Sequence, residues 1–454
     1  MKRTMSRLVS DILKGRRRMR IVVLGSANCG KTVFLTSLAS HLRYHDPEEF
    51  SLNGWEVSWE KELLSNKESE LAQFPYAEYR KGFEKAIPEF PEKTTAEMSV
   101  LRLPLVLKKG VEDRAILLEL MDLPGERVAD LVMARKSYRE WCEWMQDAFV
   151  KDRASESYRD YLEMIKMASA PEDLFKAYKG HLLSEYERYS PWLTPSTVKL
   201  SNGTAKGLRE DIDTRLLGVD VESQFVPLPI EAFKSGHPLN GYVKKFESGY
   251  NKYRKEIVRP IADWLSEADH LIYLVDVLGI LKKGVSAYNA EAAFGADVIG
   301  MFKRHKTRAF LGSIVDRLVG LFKTELTGAC LVATKADIAC GEAGRENMCN
   351  LASQILGKPM RELGLSLQSD YARACASVKT VTNEATARQC ITSNEETDYS
   401  QLVVPERWPD SRNWDAGKFW FEDTFPRFDE RRNAAPPQLG LDKLVFAILK
   451  NFVI

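Results

Sequence analysis

Short apolar segments rich in β-branched residues alternate with helical patterns along much of the chain. The first segment, 20–24, precedes a glycine-containing loop and a helical stripe that runs from Lys31 through His41. Uniformly apolar runs of this length are typical of strands buried on both faces of a parallel sheet. Because strands and helices alternate, we expect an α/β fold with a largely parallel sheet. Further strands are predicted at 99–107, 115–121, 271–278, 329–334 and 371–376.

Two further patterns refine this expectation. The polar stretch 108–114 contains Gly110 and predicts the turn of a hairpin between two of the strands. A mainly helical stretch at 127–267 interrupts the alternation, and Pro171, followed by two acidic residues, predicts a helix start within it. Apolar residues recur there at helical spacing, which indicates helix packing rather than a cofactor site. These residues are Tyr138, Trp141, Cys142, Met145, Phe149, Tyr158, Tyr161, Leu162 and Ile165.

The spacing between strands predicts an elaborated domain. The stretch from Asp122 to Thr334 far exceeds the roughly 30 residues of one strand–helix–strand step. We expect a first section of the sheet domain at 1–126, with an enlarged segment at 46–98, and a helical insertion at 127–267. The second section of the sheet domain is expected at 268–380. An irregular extension follows at 381–454 and ends in a helix predicted at 439–453.

Composition excludes several classes of protein. Hydrophobic residues make up 44% and charged residues 28%, as in ordinary globular chains. The net charge of +1 gives no overall field toward nucleic acid or membranes, so we expect no nucleic-acid partner. Seven cysteines without a C-x-x-C pair suit free thiols in a reducing compartment. No signal-peptide core or run of ~20 apolar residues occurs, and a soluble, cytoplasmic protein is expected.

The loop after the first strand carries a phosphate-binding pattern. Gly25-Ser26-Ala27-Asn28-Cys29-Gly30-Lys31-Thr32 satisfies G-x-x-x-x-G-K-[ST] between a predicted strand and a predicted helix. Glycines let successive backbone N–H groups face phosphate oxygens, and the helix N-terminus adds positive potential. We expect Lys31 to reach the β- and γ-phosphates from a solvated position and the Thr32 hydroxyl to ligate Mg²⁺. Residues 26–33, which include Val33, are the predicted phosphate-binding residues, and Cys29 is expected only to fill the loop.

A second element, Asp122-Leu123-Pro124-Gly125, ends the strand predicted at 115–121. An aspartate just past a buried strand holds Mg²⁺ through water in phosphoryl-transfer sites. The Gly125 N–H is expected to approach the γ-phosphate. Alone, this tetrapeptide is more typical of a turn than of a metal site. The phosphate-binding pattern upstream favours the metal-site interpretation.

Two later elements predict recognition of a purine base. Thr334-Lys335-Ala336-Asp337 ends another predicted strand, and the Asp337 carboxylate is placed to accept hydrogen bonds from the ring N–H and amino group of guanine. Adenine lacks this pair of donors, so such a site selects GTP over ATP. Cys375-Ala376-Ser377 follows the last predicted strand, and one of its backbone N–H groups is expected to meet the guanine oxygen.

The four elements occur in the same order as in Ras-like GTPases. GSANCGKT and the strand-plus-DLPGE element resemble more specifically the YcjX-like family of bacterial P-loop proteins. The resemblance covers most of the chain and is strongest over 20–135 and 268–378. It implies a P-loop NTPase sheet of the Ras-like GTPase type with a large helical insertion, hydrolysis of GTP to GDP, conformational switching, and an association with stress responses.

Two departures from the small-GTPase pattern affect the expected activity, and the position of one further switch residue is open. Thr334 occupies the position where asparagine is usual. Glu126 follows Gly125 where Ras-type proteins carry a water-orienting glutamine, so intrinsic turnover should be slow. Thr95 is favoured over Thr94 as the threonine of the first switch that meets Mg²⁺, although both also suit a simple loop.

Several alternatives stay open at this stage. A P-loop ATPase or nucleotide kinase and a nucleotide-stabilised scaffold without useful turnover are the rival functions. The insertion at 127–267 is the expected surface for a protein partner, while Arg16-Arg17-Arg18 leaves open a peripheral contact with a membrane or membrane protein. The histidines are scattered without ligand spacing, so no zinc site is predicted.

Overall fold

A computed structural model describes most of the chain. The described residues are 18–26, 29–59, 72–83, 99–123, 125–147, 156–168, 170–187, 194–196, 219, 221–302, 326–339, 341–365, 371–379, 388–392, 395–399, 403–410, 414, 425–426 and 435–453.

Six of the eleven strands among the described residues overlap the predicted apolar segments, and the other five were not predicted. They are β1 (Arg18–Gly25), β2 (Glu56–Trp59), β3 (Ala72–Gln73), β4 (Ser99–Lys109), β5 (Glu112–Asp122), β6 (His270–Val275), β7 (Gly328–Ala333), β8 (Ala372–Ala374), β9 (Arg388–Thr392), β10 (Glu395–Tyr399) and β11 (Phe425–Pro426).

The helices alternate with strands in two regions and run consecutively between them. They are α1 (Lys31–Arg43), α2 (Tyr76–Phe83), α3 (Tyr138–Gln146), α4 (Glu156–Ile165), α5 (Pro171–Glu187), α6 (Asn240–Tyr253), α7 (Arg259–Leu265), α8 (Val277–Lys283), α9 (Val285–Gly300), α10 (Gly341–Arg361) and α11 (Leu441–Val453). A π-helical turn at Arg254–Val258 joins α6 to α7, and 3₁₀ segments occupy Gly125–Arg135, Val221–Ser223, Ile230–Phe233 and Ala336–Ile338.

An eight-stranded sheet forms the centre of the fold, in the order β2-β4-β5-β1-β6-β7-β8, with β3 paired to β4. Strands β5, β1, β6, β7 and β8 are parallel, whereas β4 is antiparallel to β5. Gly110 has φ +60° in the turn between β4 and β5, so the predicted hairpin is confirmed. The α/β class expected from the sequence is likewise confirmed. A separate small sheet has the order β10-β9-β11.

The predicted strand at 271–278 is wrong at its carboxyl end. Strand β6 stops at Val275, and Val277 and Leu278 begin α8. The Asp276 side chain accepts a hydrogen bond from the Gly279 N–H at 2.9 Å and so caps this helix. An N-terminal cap stabilises a helix by about 1 kcal/mol, which outweighs the β-propensity of two residues.

One face of the sheet is covered by α1 and the closing helix α11. Phe34, Leu35 and Leu38 of α1 are buried in the same apolar cluster as Leu444 and Ile448 of α11. Alternate residues of β1 complete this cluster, as expected for a strand with one face on each layer. The cluster therefore fixes the helix that begins at the phosphate-binding loop.

The chain divides into two compact units. The sheet unit comprises 1–124, 268–285 and 325–454, and the helical unit comprises 125–267 and 286–324. The helical unit thus includes α9 in addition to the insertion expected at 127–267. The domain boundaries inferred from the sequence stay a prediction.

Buried aromatic residues form the core of the helical unit. Its predicted stripe on α3 is buried at Tyr138, Trp141, Cys142 and Met145, while Phe149 lies outside the described residues. The hydroxyls of Tyr138 and Tyr161 donate to the carbonyls of Val226 and Pro227, respectively. These bonds satisfy an extended, buried segment that has no secondary structure of its own. A helix-packing role for these aromatics matches the sequence interpretation.

Candidate functional site

Most of the residues predicted to bind nucleotide and metal lie at or just after the ends of strands, and these strands end at one edge of the sheet. Val23 is paired with Asp122, Gly25 with Leu274, and Val275 with Ala333. Because β1, β5, β6, β7 and β8 are parallel, their carboxyl ends share this edge, where ligands bind in open α/β sheets. The phosphate-binding loop, Asp122 and the Thr334–Asp337 loop therefore leave the sheet on the same side.

Two glycines shape the loop between β1 and α1. Gly25 has φ +151°, and a Cβ there would lie 2.5 Å from the Leu274 carbonyl oxygen. Gly30 has φ +91° and immediately precedes α1, where its carbonyl accepts from the Phe34 N–H at 2.8 Å. A side chain is sterically excluded at Gly25 and strained at Gly30. Cys29 is fully buried, in agreement with a filling role. Ala27 and Asn28 lie outside the described residues.

Lys31 is not solvated, and the sequence-based expectation on this point is wrong. Only 8% of the residue is exposed. Its ammonium donates to the carbonyls of Gly25 at 3.0 Å and Ser26 at 3.1 Å. The physical reason is the curl of the loop, which turns its carbonyls toward the first turn of α1. The amine is thereby held at the loop, within reach of any group that the loop binds.

Asp122 is the last residue of β5 and is 1% exposed. It is paired with Ser99, the first residue of β4, so the chain that precedes β4 enters the sheet beside this carboxylate. The predicted switch residues Thr94 and Thr95 belong to that preceding segment and lie outside the described residues. Gly125 begins the 3₁₀ segment Gly125–Arg135, and the side chain of Glu126 is not among the described parts.

Lys335 and Asp337 form the loop after β7. Lys335 has the left-handed φ of +61°, and Asp337 is half-buried in the 3₁₀ turn that follows. The Lys335 ammonium lies 2.6 Å from Asp276 Oδ2. The Thr334 N–H donates to the Val275 carbonyl at 3.0 Å, so the loop is tied to the end of β6 at two points.

Asp276 is a site-forming residue that our sequence analysis missed. Its Oδ1 caps α8 while its Oδ2 accepts from Lys335. A Cβ on Gly279 would lie 2.6 Å from Oδ2, so glycine at that position makes room for the carboxylate. The available signal was an aspartate directly after an apolar strand and three residues before a glycine, a pattern typical of helix starts.

The Cys375–Ser377 loop follows β8 and contacts the preceding loop, because the Ala336 N–H donates to the Cys375 carbonyl at 3.2 Å. The Cys375 N–H donates to Ala333 and the Ala376 N–H to Leu439, both at 2.9 Å. These two amides are therefore already used. Of the three amides in this loop, only that of Ser377 therefore stays a candidate donor to the base oxygen. The Ser377 carbonyl accepts from the Ser37 hydroxyl of α1.

Two buried thiols in this part of the sheet unit are unreactive. Burial raises the pKa of Cys375 well above its ordinary value, and burial raises the pKa of Cys330 on β7 to about 12. Thiols in this state are not nucleophiles at neutral pH. Among the described residues, no group of three or more histidine, cysteine or acidic side chains is arranged to hold a metal ion by itself.

Within the helical unit, Arg127 is held by a buried network. Its guanidinium donates to the Ser196 hydroxyl at 3.3 Å and lies 3.9 Å from the fully buried Asp130 carboxylate. Asp130 also accepts from Thr194 and Tyr253. Burial raises the pKa of Asp130, against the opposing effect of Arg127 and these donors. Arg127 therefore stabilises the segment after Glu126 through partners that all belong to the helical unit.

The fold and the shared edge define this protein as an α/β protein with a P-loop GTPase-like sheet. The chain belongs to the YcjX-like family, DUF463, whose family model matches residues 19–452, and the resemblance inferred from the motifs is confirmed. Among the helices of the described residues, none is long and apolar enough to cross a membrane.

Two curated relatives carry the same description. A protein of Escherichia coli strain K12, named Ras-like GTPase YcjX, is 24% identical over 470 aligned positions that cover 94% of each chain. A Shewanella oneidensis protein with that name is 30% identical over 164 residues, which span 32% of this chain and 34% of the relative. Both names support a GTPase-like nucleotide-binding protein.

Proposed function

We propose that this chain binds GTP and GDP with Mg²⁺, hydrolyses GTP slowly, and changes conformation between the two states. The observation that carries the proposal is the shared edge of the parallel strands β5, β1, β6 and β7, where Asp122 ends β5, the Gly25–Thr32 loop follows β1 and the Thr334–Asp337 loop follows β7. The name Ras-like GTPase of two relatives adds independent support.

At the phosphate end, backbone N–H groups of 26–33 and the Lys31 ammonium bind the phosphate oxygens. Lys31 exchanges its present acceptors, the loop carbonyls, for the more negative β- and γ-phosphates. Thr32 and Asp122 are the residues that would hold Mg²⁺, with Thr95 of the first switch. Oxygen donors of this kind suit Mg²⁺, which neutralises charge on the phosphates when bound.

At the base end, the Asp337 carboxylate accepts from the ring N–H and amino group of guanine, and the Ser377 N–H donates to the guanine oxygen. Lys335 holds the loop to Asp276. Adenine does not offer Asp337 the pair of donors that guanine offers, which disfavours the ATPase and nucleotide-kinase alternatives.

Binding of nucleotide is tested by thermal unfolding with GDP, GTP or ATP, each with and without Mg²⁺. A ligand that binds only the folded state raises its stability by mass action, by about 2.7 kcal/mol at 100-fold excess over Kd. We expect GDP and GTP to raise the melting temperature and ATP to leave it unchanged. Equal shifts with ATP would contradict guanine selectivity, and no shift with any nucleotide would contradict the function.

Slow turnover follows from Glu126, whose carboxylate orients or deprotonates water but adds negative charge near the γ-phosphate. The variant Glu126→Gln should change the rate of phosphate release in a single turnover more than the affinity for GTP. Phosphate release that is absent in the unmodified protein with Mg²⁺ would favour the nucleotide-stabilised scaffold instead.

The insertion at 127–267 is proposed as the effector surface, because it begins directly after the residues expected to sense the γ-phosphate. Loss of that phosphate releases switch segments in proteins of this kind. Hydrogen exchange of GDP-bound protein, compared with protein bound to a non-hydrolysable GTP analogue, tests this. Changes should extend beyond 126 into the insertion, and changes confined to 90–126 would contradict the proposal.

The cellular location and role are proposed from the cysteines and from the family resemblance. The described cysteines are free, which suits a cytoplasmic location. A role in bacterial stress responses is implied by the family resemblance. It is tested by comparing survival of a deletion strain, complemented with unmodified protein or Lys31→Ala, after heat and envelope stress. Equal survival of the two complemented strains would contradict a nucleotide-dependent role.

A further inference from the structure

The base-recognition loop is joined to the C-terminal region by a bridge far along the chain. Ala376 and Leu439 exchange two backbone hydrogen bonds of 2.9 Å each and form an isolated antiparallel bridge. Beside it, the Lys379 N–H donates to the Pro437 carbonyl at 2.6 Å, and the Cys375 thiol donates to the Gly440 carbonyl at 3.3 Å. We call residues 435–440 the neck, because the chain returns there to the base-recognition loop. The residues between, 380–434, are called the excursion.

At Gly440 the backbone of the neck packs closely against the base-recognition loop. This residue has φ +74°, and a Cβ there would lie 2.7 Å from the Ala374 carbonyl oxygen. A real side chain would force the neck and the loop apart, since such contacts are shorter than van der Waals distance. Glycine at this position thus permits the bridge.

The other side of the neck is also anchored. Gln438 accepts from the Leu441 N–H at 2.8 Å, at the start of α11, and donates to the Glu49 carbonyl at 3.1 Å. Leu441 and Leu444 are buried in the apolar cluster of the sheet. Displacement of the loop from its position therefore requires the neck to separate from it, rather than to follow it.

Described residues between 403 and 414 bond to the two helices that follow Asp276 and the Thr334–Asp337 loop. Asn347 and Gln354 of α10 donate to the carbonyls of Val404 at 2.9 Å and Glu406 at 3.0 Å. The Trp414 indole donates to the Leu281 carbonyl of α8 at 3.1 Å. Helix α10 follows the Thr334–Asp337 loop, and Asp276 is the N-terminal cap of α8. The excursion thus connects to the base-recognition loops through both helices and through the neck.

We propose that the bridge between Ala376 and Leu439 controls how fast a bound guanine nucleotide dissociates. The closed bridge fixes the loop so that the Ser377 N–H faces the base, and an open bridge removes that donor from hydrogen-bond range. This proposal rests on the proposed function and concerns only the base end of the site.

Paired glycine variants test the proposal. Gly440→Ala introduces the clash, while Gly364→Ala is the matched control, because Gly364 has φ +75° but open space around its Cβ. We measure release of a fluorescent GDP from the Mg²⁺-containing protein into excess GDP. Release should become about tenfold faster in Gly440→Ala and change less than about twofold in Gly364→Ala, as expected for a change in dissociation rate. Equal release rates in the two variants would overturn the proposal.

A kinetic comparison separates positioning from general damage. Single-turnover hydrolysis at saturating GTP should stay within about twofold of the unmodified protein in Gly440→Ala, because the hydrogen bonds described for the neck are made with the base-recognition loop, α11 and Glu49 and not with the Gly25–Thr32 loop. A hydrolysis rate that falls as much as release rises would indicate a structural role only and overturn the proposal.

A milder variant covers the case in which Gly440→Ala fails to fold. Gln438→Ala removes the cap of Leu441 and the bond to Glu49 without adding atoms, and release should become about threefold faster. Unchanged release in that variant would overturn the proposal. If the unmodified protein gives no bound fluorescent GDP, the guanine-nucleotide function itself fails, and the proposal fails with it for that separate reason.

Discussion

The Lys335 ammonium lies 2.6 Å from Asp276 Oδ2, so the loop after β7 is bonded to the end of the neighbouring strand β6. Lys335 is 43% exposed at its side chain, whereas Asp276 is mostly buried at 16%. The aspartate also caps α8, so the pair joins Lys335 to the start of that helix. Lys335 has a left-handed backbone conformation, which costs free energy for a residue other than glycine. The ion pair helps to hold the loop in that conformation.

Replacement of Asp276 tests this positioning role. Asp276→Asn keeps an oxygen that caps α8 but removes the charge that holds Lys335, so the fold should persist. Since partly exposed ion pairs contribute up to about 1 kcal/mol, we expect GDP affinity to fall about threefold to fivefold. Calorimetric titration with GDP measures the effect. Glu112→Gln, which removes a pair with Arg114 at the hairpin tip, is the control and should leave affinity unchanged.

Replacement of Lys31 tests the phosphate end. Lys31→Ala removes a charged donor to the phosphates, and we expect GTP affinity to fall roughly 10- to 100-fold. Because Lys31 is buried and bonded to two loop carbonyls, the variant should also lose about 1 kcal/mol of unfolding free energy. Lys109→Ala is the control, since that ammonium also donates to a carbonyl, of Asn53, at 3.0 Å but in an exposed position. Undiminished GTP affinity in Lys31→Ala would contradict the P-loop assignment.

Replacement of Asp337 tests the choice of base. Asp337→Asn should weaken GTP binding by about 100-fold or more, because the amide presents a donor to the guanine amino group. The same variant should gain affinity for xanthosine triphosphate, whose base has an acceptor at that position. Competition between the two nucleotides for a fluorescent analogue measures the ratio. An unchanged preference for GTP would show that Asp337 does not contact the base.

Two buried histidines predict how stability depends on pH. Burial lowers the pKa of His41, which is stacked on Phe50, to about 4 and lowers the pKa of His270 to about 4. In the unfolded chain these two histidines bind protons near pH 6.5, whereas in the folded chain they do so only near pH 4. Stability that is complete above pH 6.5 is therefore lost as the pH falls toward 4, by roughly 2 to 3 kcal/mol for each residue.

Urea unfolding at several pH values between 7 and 4 measures this loss. The double variant His41→Gln, His270→Gln removes both groups, so its free energy of unfolding should fall less steeply with pH than that of the unmodified protein. Identical slopes would contradict a contribution of these histidines and would assign the acid sensitivity to carboxylates.

Local patterns in the sequence predicted most of the sheet and its attached helices. Apolar runs located β1, β4, β5, β6 and β7 because strands buried on both faces need continuous hydrophobic side chains. Helical spacing located α1 and the aromatic face of α3 for the corresponding reason. The order of strand, loop and helix around Gly25–Thr32 followed from the same signals. These features depend on interactions over a few residues, which a single sequence exposes directly.

Contacts between distant segments could only come from the tertiary structure. The partner of Lys335 is Asp276, 59 residues earlier, and the partner of Ala376 is Leu439 in the neck. The burial of Lys31 likewise depends on how the loop carbonyls curl back toward α1. None of these pairings leaves a periodic signal, because a single hydrogen bond between two loops constrains no neighbouring residue. The sequence thus determined which residues are candidates for the proposed chemistry, and the parallel register of the sheet decided that the loops carrying them leave one edge and which groups hold those loops.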